Sequence, residues 1–157
     1  MELFRIICNE TIGETFLYSK ADEYHFEDLI RDMLFFLKPE NILFAFDKDE
    51  IVGFIFWHPD YNEILAKGRH NSLLEIAFRY IFMRNKITKV KLNSIGVKQK
   101  WRGNVTLMLL AEASKYMHQY RVVETNFVWE NNKRSMAINK HLIQEVSRRF
   151  KVVEYRV

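Results

Sequence analysis

The segment Leu92–Leu110 places the strongest constraint on how this chain folds. A run rich in β-forming residues, Val90–Val97, leads into a short basic loop, Lys98–Gly103, and a segment with helical apolar spacing begins at Asn104. Asn is a favoured residue at the N-cap of a helix. The sequence therefore predicts an α/β protein in which a strand, a loop and a helix capped by Asn104 follow one another.

This strand–loop–helix junction is suited to binding an anion. The first N–H groups of a helix have no partner within the helix, and the helix dipole adds partial positive charge at the same end. Lys98, Lys100 and Arg102 place positive side chains around that point. We therefore predict a site for a phosphorylated cofactor. The alternative is an ordinary junction, since most junctions of this kind in α/β proteins bind nothing.

Motifs on both sides of the loop resemble those of a known family. Gly96-Val97 is followed by Trp101-Arg102-Gly103 and a helix, and Glu130-Asn131-Asn132 precedes Ser135. The first motif resembles the cofactor loop Arg/Gln-x-x-Gly-x-Gly/Ala of the GCN5-related N-acetyltransferase (GNAT) superfamily, and the second resembles its strand that ends in Glu-Asn. Phe54–Asn62 is similar to a stretch in one GNAT subgroup. The resemblance covers about Ile42 to the C-terminus.

The resemblance implies a fold, a cofactor and a reaction. The implied fold is a mixed, largely antiparallel sheet with helices on both faces, in a single domain over residues 1–157. The implied reaction is the direct attack of an amine on acetyl-CoA or another acyl-CoA, with backbone N–H groups stabilising the oxyanion. The strand backbone would bind the pantetheine arm, and the loop and two helix starts would complete the cofactor site: Ser94, Ile95, Gly96, Val97, Arg102, Gly103, Asn104, Val105, Thr106 and Asn132.

The chain departs from the GNAT pattern where the family's chemistry is concentrated. Val105 stands in place of a central glycine, and Leu107 in place of Gly or Ala. Because that glycine lets backbone N–H groups approach pyrophosphate, Val105 would crowd the phosphate unless its side chain points into the core. Asn139 replaces the Tyr that many members use as general acid, and an amide cannot donate a proton to a thiolate. The resemblance thus implies a divergent enzyme or a non-catalytic binding module.

Candidates for proton transfer lie elsewhere in the chain. His58 and Glu63 lie in a polar stretch that closes a predicted strand, and either could act as a general base. An ordinary polar turn explains the same stretch. His141 could replace the missing Tyr as an acid near neutral pH, although a surface histidine is the simpler interpretation. The sequence therefore leaves the catalytic residues unassigned.

Composition and charge limit the classes of protein to which this chain could belong. The chain has 157 residues with 48% hydrophobic content, which predicts one domain with a substantial core. No apolar run reaches about 18 residues, and no signal peptide is evident, so we expect a cytoplasmic protein without a membrane partner. The single cysteine, Cys8, excludes an internal disulfide and a cysteine-rich metal site.

The net charge of +4 favours an anionic partner. Nucleic acid is the rival to a phosphorylated cofactor, but the basic residues are spread from Arg31 to Arg156, and the nearest approach to a patch is Arg84–Lys91. A solvated surface explains them better than nucleic-acid binding does. The predicted partner is therefore a small-molecule or peptide amine acceptor, whose identity the sequence does not give.

Apolar periodicity predicts the other elements. They are a helix over Phe26–Leu37 ended by Pro39, a hairpin of Ile42–Phe46 and Ile51–Trp57, a core helix over Leu73–Phe82, a strand over Val122–Trp129, a helix capped by Asn132 and a last strand over Phe150–Val157.

The N-terminal residues 1–18 are weakly patterned, so the first strand of the implied fold is missing from the prediction. Two explanations stay open. The chain is the C-terminal part of a longer protein, or a shorter natural form covers the edge in another way. An exposed edge strand invites pairing with another chain, so we expect a homodimer.

Overall fold

The computed structural model describes residues 2–12, 23–65, 67–68, 70–142 and 145–150. The chain forms two compact units, Met1–Asn126 and Phe127–Val157. The described part of the first unit contains α1 (Glu2–Thr11), α2 (Glu23–Leu34), β1 (Ile42–Asp47), β2 (Glu50–Pro59), α3 (Leu73–Met83), β3 (Lys89–Val97), α4 (Asn104–Met117) and β4 (Val122–Thr125). The second unit contains α5 (Lys133–Leu142). A single domain over 1–157 stays a prediction.

A four-stranded mixed sheet organises the first unit. Its strands follow chain order, β1-β2-β3-β4, with β1/β2 and β2/β3 antiparallel and β3/β4 parallel. The predicted hairpin, the mixed and largely antiparallel sheet and the α/β class are confirmed. No strand precedes Ile42 among the described residues, where α1 and α2 come first.

Strand β2 is buried on both faces, as its continuous apolar run predicts. Phe54 and Phe56 pack against Phe4, Ile7 and Cys8 of α1. Ile55 and Trp57 point to the opposite face because side chains alternate along a strand, and there they pack against Leu109, Ala113 and Met117 of α4. Helices therefore cover both faces of this strand.

Three predicted elements differ from the structure. Helix α2 ends at Leu34, well before Pro39, and the Phe36 carbonyl accepts hydrogen bonds from the Tyr61 and Tyr80 hydroxyls instead of continuing a helical ladder. The predicted core stripe of α3 is largely exposed. Strand β4 ends at Thr125 rather than at Trp129.

Some predicted features lie outside the described residues. These are most of the last strand, residues 151–157, and the side chains of His141, Leu29, Ile30 and Met33. Phe150 itself is exposed and lies outside any regular element.

Candidate cofactor site

Helix α4 begins one residue earlier than the predicted cap requires. Asn104 is its first helical residue rather than its N-cap, and Gly103 precedes it with φ +95° and ψ −87°. The N-cap lies at Gly103 for a conformational reason, because only glycine adopts such a positive φ without strain. No side chain caps this helix, and the first intrahelical bond is Leu107 N–H to Gly103 O at 3.0 Å. The N–H groups of Asn104, Val105 and Thr106 therefore lack a partner within the helix.

The Val105 side chain does not crowd this helix end. It packs against the core cluster that contains Val97 and Leu109. Thr106 beside it is buried, whereas Leu107 lies on the solvent side of α4 with 65% of its surface exposed. The β-branched side chain that replaces the family's glycine is thus accommodated by the core.

The three basic side chains of the loop differ in what they contact. Lys98 bridges two carboxylates, Glu50 at 2.8 Å and Glu10 at 3.0 Å, and these hydrogen bonds raise its pKa. Lys98 is therefore paired with carboxylates, and its contribution of charge to an anion site stays a prediction. Lys100 Nζ lies 5.0 Å from the centroid of the Trp101 ring. Arg102 Nε donates to Val97 O at 3.1 Å, and no carboxylate pairs with Arg102 in the described part of the chain.

The edge of β3 that faces β4 opens halfway along the strand. Pairing with β4 ends at Leu92–Thr125, after which Asn126 N–H donates to Leu92 O at 3.0 Å. At the same point β3 has an extra residue, because Trp57 pairs with Leu92 and Phe56 with Ser94. Asn93 is therefore a β-bulge, a feature that bends a strand and interrupts its ladder. This break explains why the predicted long strand over Val122–Trp129 stops early.

Backbone direction alternates along the open edge. Lys98 N–H donates to Val52 O at 2.9 Å, so by the alternation of an antiparallel ladder Gly96 and Ser94 also bond towards β2. Ile95 and Val97 consequently direct their N–H and C=O groups to the open side, where no strand pairs among the residues described. Of the four predicted strand residues, these two have backbone groups on the open side, where Val97 O already accepts from Arg102 Nε at 3.1 Å.

Gly96 has a packing role in addition to any role in binding. A Cβ atom at this position would collide with the side chains of Thr11 and Phe54. The close approach of α1 to the sheet therefore accounts for this glycine, independently of the cofactor.

His58 and Glu63 are distinguished by their contacts. Glu63 accepts backbone N–H bonds from Thr88 at 2.7 Å and from Lys89 at 2.9 Å. Burial alone would raise the pKa of Glu63, but these hydrogen bonds outweigh it and lower the pKa. This carboxylate therefore holds the turn before β3.

The His58 imidazole is arranged as a neutral base. Its Nδ1 lies 2.7 Å from Pro59 O and must donate, because a carbonyl only accepts. The ring stacks on Tyr61 with centroids 5.5 Å apart, and burial lowers the pKa of His58. Nε2 consequently keeps its lone pair near neutral pH. In the register between β2 and β3, His58 lies opposite Lys91, two residues before the Asn93 bulge.

In the second unit, Asn132 caps α5 as predicted. Its Oδ1 accepts from Ser135 N–H at 3.1 Å, and its carbonyl accepts from Met136 N–H at 2.9 Å. Asn139 is half-buried on this helix. Its amide stands where the GNAT resemblance expects a Tyr.

A small cavity near the C-terminal end of β2 was not predicted from the sequence. Its lining includes Phe36, Trp57, Tyr61, Tyr80 and Tyr120, and the buried Trp57 Nε1–H has no hydrogen-bond partner among the residues that the structure describes. The cavity volume is about 20 Å³, which is room for a single water. It is too small to be an acceptor pocket as it stands.

The described residues contain neither a candidate metal site nor a candidate membrane-spanning helix. No group of three His, Cys, Asp or Glu side chains there is arranged to hold a metal ion. No helix in the same residues combines the length and the apolar character that crossing a membrane requires.

Comparison with solved structures identifies the fold. Over 99% of its length the chain superposes on 91% of the aminoglycoside N-acetyltransferase AAC(6')-Iy, solved with the bisubstrate analogue CoA-S-monomethyl-acetylneamine, with a TM-score of 0.60 at 17% identity. It superposes over 99% on 92% of the 6'-N-acetyltransferase AAC(6')-IG from Acinetobacter haemolyticus, with a TM-score of 0.59 at 12% identity.

A third solved structure has a different description. It is a transcriptional regulator from Bacillus halodurans C-125, with a TM-score of 0.55 at 12% identity, covering 98% of this chain and 93% of that chain. Neither a protein-family model nor a curated protein sequence matches this chain.

These likenesses show that the chain has the GNAT fold. The predicted resemblance is therefore confirmed at the level of fold. Function does not follow from fold alone, so it has to be argued from the residues of the site.

Proposed function

We propose that this protein is an acyl-CoA-dependent N-acyltransferase that acts on a small-molecule amine, with acetyl-CoA as the acyl donor. The observation that carries the proposal is the combination of an open β3 edge and an uncapped helix start in one segment. Ile95 and Val97 offer backbone groups to an extended amide-containing arm, and the N–H groups of Asn104–Thr106 offer donors to its diphosphate. The AAC(6')-Iy structures hold CoA or a CoA bisubstrate analogue, which supports a ligand of this chemistry.

The residues of the first unit fit such a cofactor. Because Val105 packs into the core, the helix start keeps the space that a diphosphate needs. Arg102 adds a guanidinium whose remaining donors suit phosphate oxygens. When bound, acetyl-CoA would supply a thioester as the acyl donor. In our proposal Ser94, Gly96 and Gly103 shape the same site without donating charge.

His58 is the general base that the geometry favours. Its Nδ1–H is fixed by Pro59 O, so Nε2 is the atom that would accept a proton from the acceptor ammonium or from the attacking amine. Glu63 is committed to the turn before β3. We therefore assign proton removal to His58 and give Glu63 a positioning role.

A non-catalytic GNAT-fold binding module is the second candidate. It is favoured by Asn139, because an amide cannot protonate the leaving thiolate. Such a module would bind a partner or a different acyl carrier through a degenerate CoA loop, so binding of acetyl-CoA with turnover separates the enzyme from it.

Calorimetric titration with acetyl-CoA tests the proposal. We expect saturable heat and a rise in melting temperature, followed by thiol release when an amine such as neamine is added. His58→Gln should lower kcat by about 100-fold with little change in acetyl-CoA affinity, whereas the matched variant His118→Gln, at an exposed histidine, should retain wild-type rates. Absence of heat and of a thermal shift at millimolar acetyl-CoA would contradict the acyltransferase and favour the binding module, and so would binding without turnover on any amine.

A further inference from the structure

Helix α3 carries an apolar stripe that the described residues of the first unit leave exposed. Leu74, Phe78, Ile81 and Phe82 lie between 58% and 85% exposed. Their spacing of i, i+4, i+7 and i+8 places them on one side of the helix. Phe78 and Phe82 contact each other with ring centroids 4.5 Å apart. The helix packs on the protein through Tyr80, whose ring contacts Phe36 and Tyr61.

The area of this stripe is comparable to the largest apolar patch of a typical monomer, which is often a functional surface. The two aliphatic and two aromatic side chains, at these exposures, present roughly 500 Å². Contiguous apolar patches above a few hundred Å² usually mark an interaction site.

The positive charge of the chain is concentrated around the same helix. Residues 64–91 hold seven of the 24 Lys and Arg residues but one of the 20 acidic residues. This stretch therefore has a formal charge of +6, while the rest of the chain has −2. The single acid, Glu75, is paired with Arg79 at 2.9 Å. Arg84 and Lys86 are exposed directly after the stripe.

We propose that α3 lies on an anionic lipid surface, with the stripe in the headgroup region and the basic residues on the lipid phosphates. Apolar area with adjacent Lys and Arg is the combination by which amphipathic helices bind such surfaces. This proposal departs from our expectation from sequence that the protein has no membrane partner. It concerns contact with one leaflet and does not depend on the proposed enzymatic function.

Charge complementarity selects this occupant over a second copy of the chain. A two-fold contact between two α3 stripes would bring two segments of charge +6 together, which costs energy. The area is also below the ~800 Å² that each partner buries in a standard interface. Nucleic acid would satisfy the charges but would leave the Leu and Phe side chains without a role.

Co-sedimentation with vesicles tests the proposal. We expect the intact protein to bind phosphatidylcholine vesicles that contain phosphatidylserine, to bind pure phosphatidylcholine much more weakly, and to be released by high salt. Phe82→Ser should weaken binding at least about tenfold. Phe46→Ser is the matched control, because Phe46 is 53% exposed on β1 and should change binding less than about twofold. The double variant Arg84→Gln/Lys86→Gln should weaken binding about 20-fold.

Each alternative occupant has a distinct outcome. Equal loss of binding in Phe46→Ser and Phe82→Ser, or no binding to anionic vesicles, would overturn the proposal. So would a stable dimer in analytical ultracentrifugation that Phe82→Ser dissociates. Duplex DNA binding that depends on Arg84 and Lys86 but not on Phe82, in the absence of vesicle binding, would assign the surface to nucleic acid. Phe78→Ser provides a second, independent variant of the same stripe.

Discussion

At the scale of single residues, two glycines with positive φ allow the effect of backbone strain to be distinguished from the effect of cofactor binding. Gly103 has φ +95° and Gly68 has φ +75°, and an added Cβ would meet nothing within 4 Å at either position. The cost of a side chain is therefore backbone strain alone in both cases. Only Gly103 precedes a helix whose first N–H groups are uncapped.

Gly103→Ala and Gly68→Ala form a matched pair of variants. Each should lower the free energy of unfolding by about 1–2 kcal/mol, because an L-residue is strained in the left-handed region. Gly103→Ala should additionally weaken acetyl-CoA binding about tenfold by reorienting the N–H groups of α4, whereas Gly68→Ala should leave it unchanged. Thermal melts and calorimetry measure the two effects separately. Equal affinities in the two variants would show that the start of α4 does not bind the cofactor.

The direction in which the Val105 side chain packs was left undecided in the prediction from sequence. Its identity is visible in the sequence, and so is its position in the family's loop. Whether it obstructs a phosphate depends on which side of α4 it occupies, and that is fixed by the packing of Val97 and Leu109. The periodicity of α4 places Val105 among the buried positions, so the signal for this outcome was present in the sequence.

At the scale of elements, the loop between β3 and α4 divides its positive side chains between structure and binding. Lys98 connects Glu10 of α1 with Glu50 at the start of β2. Arg102 turns back to the end of β3 through Val97 O. The two side chains have the same sign of charge and lie four residues apart, but their contacts give them different roles.

We expect Arg102→Gln to weaken acetyl-CoA binding about tenfold or more, which corresponds to one hydrogen bond to a charged group. Lys98→Gln should change the affinity less than about threefold, because its charge is already neutralised by two carboxylates. It should also change stability only slightly, since exposed ion pairs contribute little. Titrations at two salt concentrations measure both affinities. A larger effect at Lys98 than at Arg102 would contradict the assignment of the anion site.

Element boundaries were predicted well where local chemistry sets them and less well where distant contacts do. The β1–β2 hairpin and the Asn132 cap of α5 follow from neighbouring residues. Helix α2 ends early because the Phe36 carbonyl bonds to tyrosines that are 25 and 44 residues away. The end of β4 depends on the Asn93 bulge in another strand. Apolar spacing likewise located α3 but did not reveal that its stripe is exposed.

At the scale of the whole molecule, the fold could be predicted and the site only in part. The GNAT fold was predicted from the resemblance of the motifs Trp101-Arg102-Gly103 and Glu130-Asn131-Asn132 to those of the superfamily. The sequence did not separate His58 from Glu63, because the difference lies in hydrogen bonds to Pro59, Thr88 and Lys89. Hydrogen-bonded titratable groups such as His58 and Glu63 also contribute to the stability of the first unit, and that contribution is measurable through pH.

The pH dependence of unfolding should report His58 and Glu63 in separate ranges. Burial lowers the pKa of His58 below its ordinary 6.5, so below pH 6.5 the unfolded chain binds a proton that the folded protein does not. The contribution of His58 to the free energy of unfolding is therefore fully present above pH 6.5, and it is lost as the pH decreases through the lowered pKa of His58 in the folded protein. The contribution of Glu63 is present above its ordinary pKa of 4.5 and is lost only as the pH falls through its own lowered value.

Denaturant unfolding at a series of pH values tests this separation. His58→Gln should remove the decline that begins near pH 6.5, and Glu63→Gln should reduce the decline below pH 4.5 while leaving the upper range unchanged. The exposed His70→Gln should keep the wild-type curve, which controls for loss of any imidazole. If His58→Gln retains the full decline below pH 6.5, the folded protein protonates His58 as readily as the unfolded chain does. A ring so readily charged would not be held neutral by burial, and its assignment as the base near neutral pH would lose its physical ground.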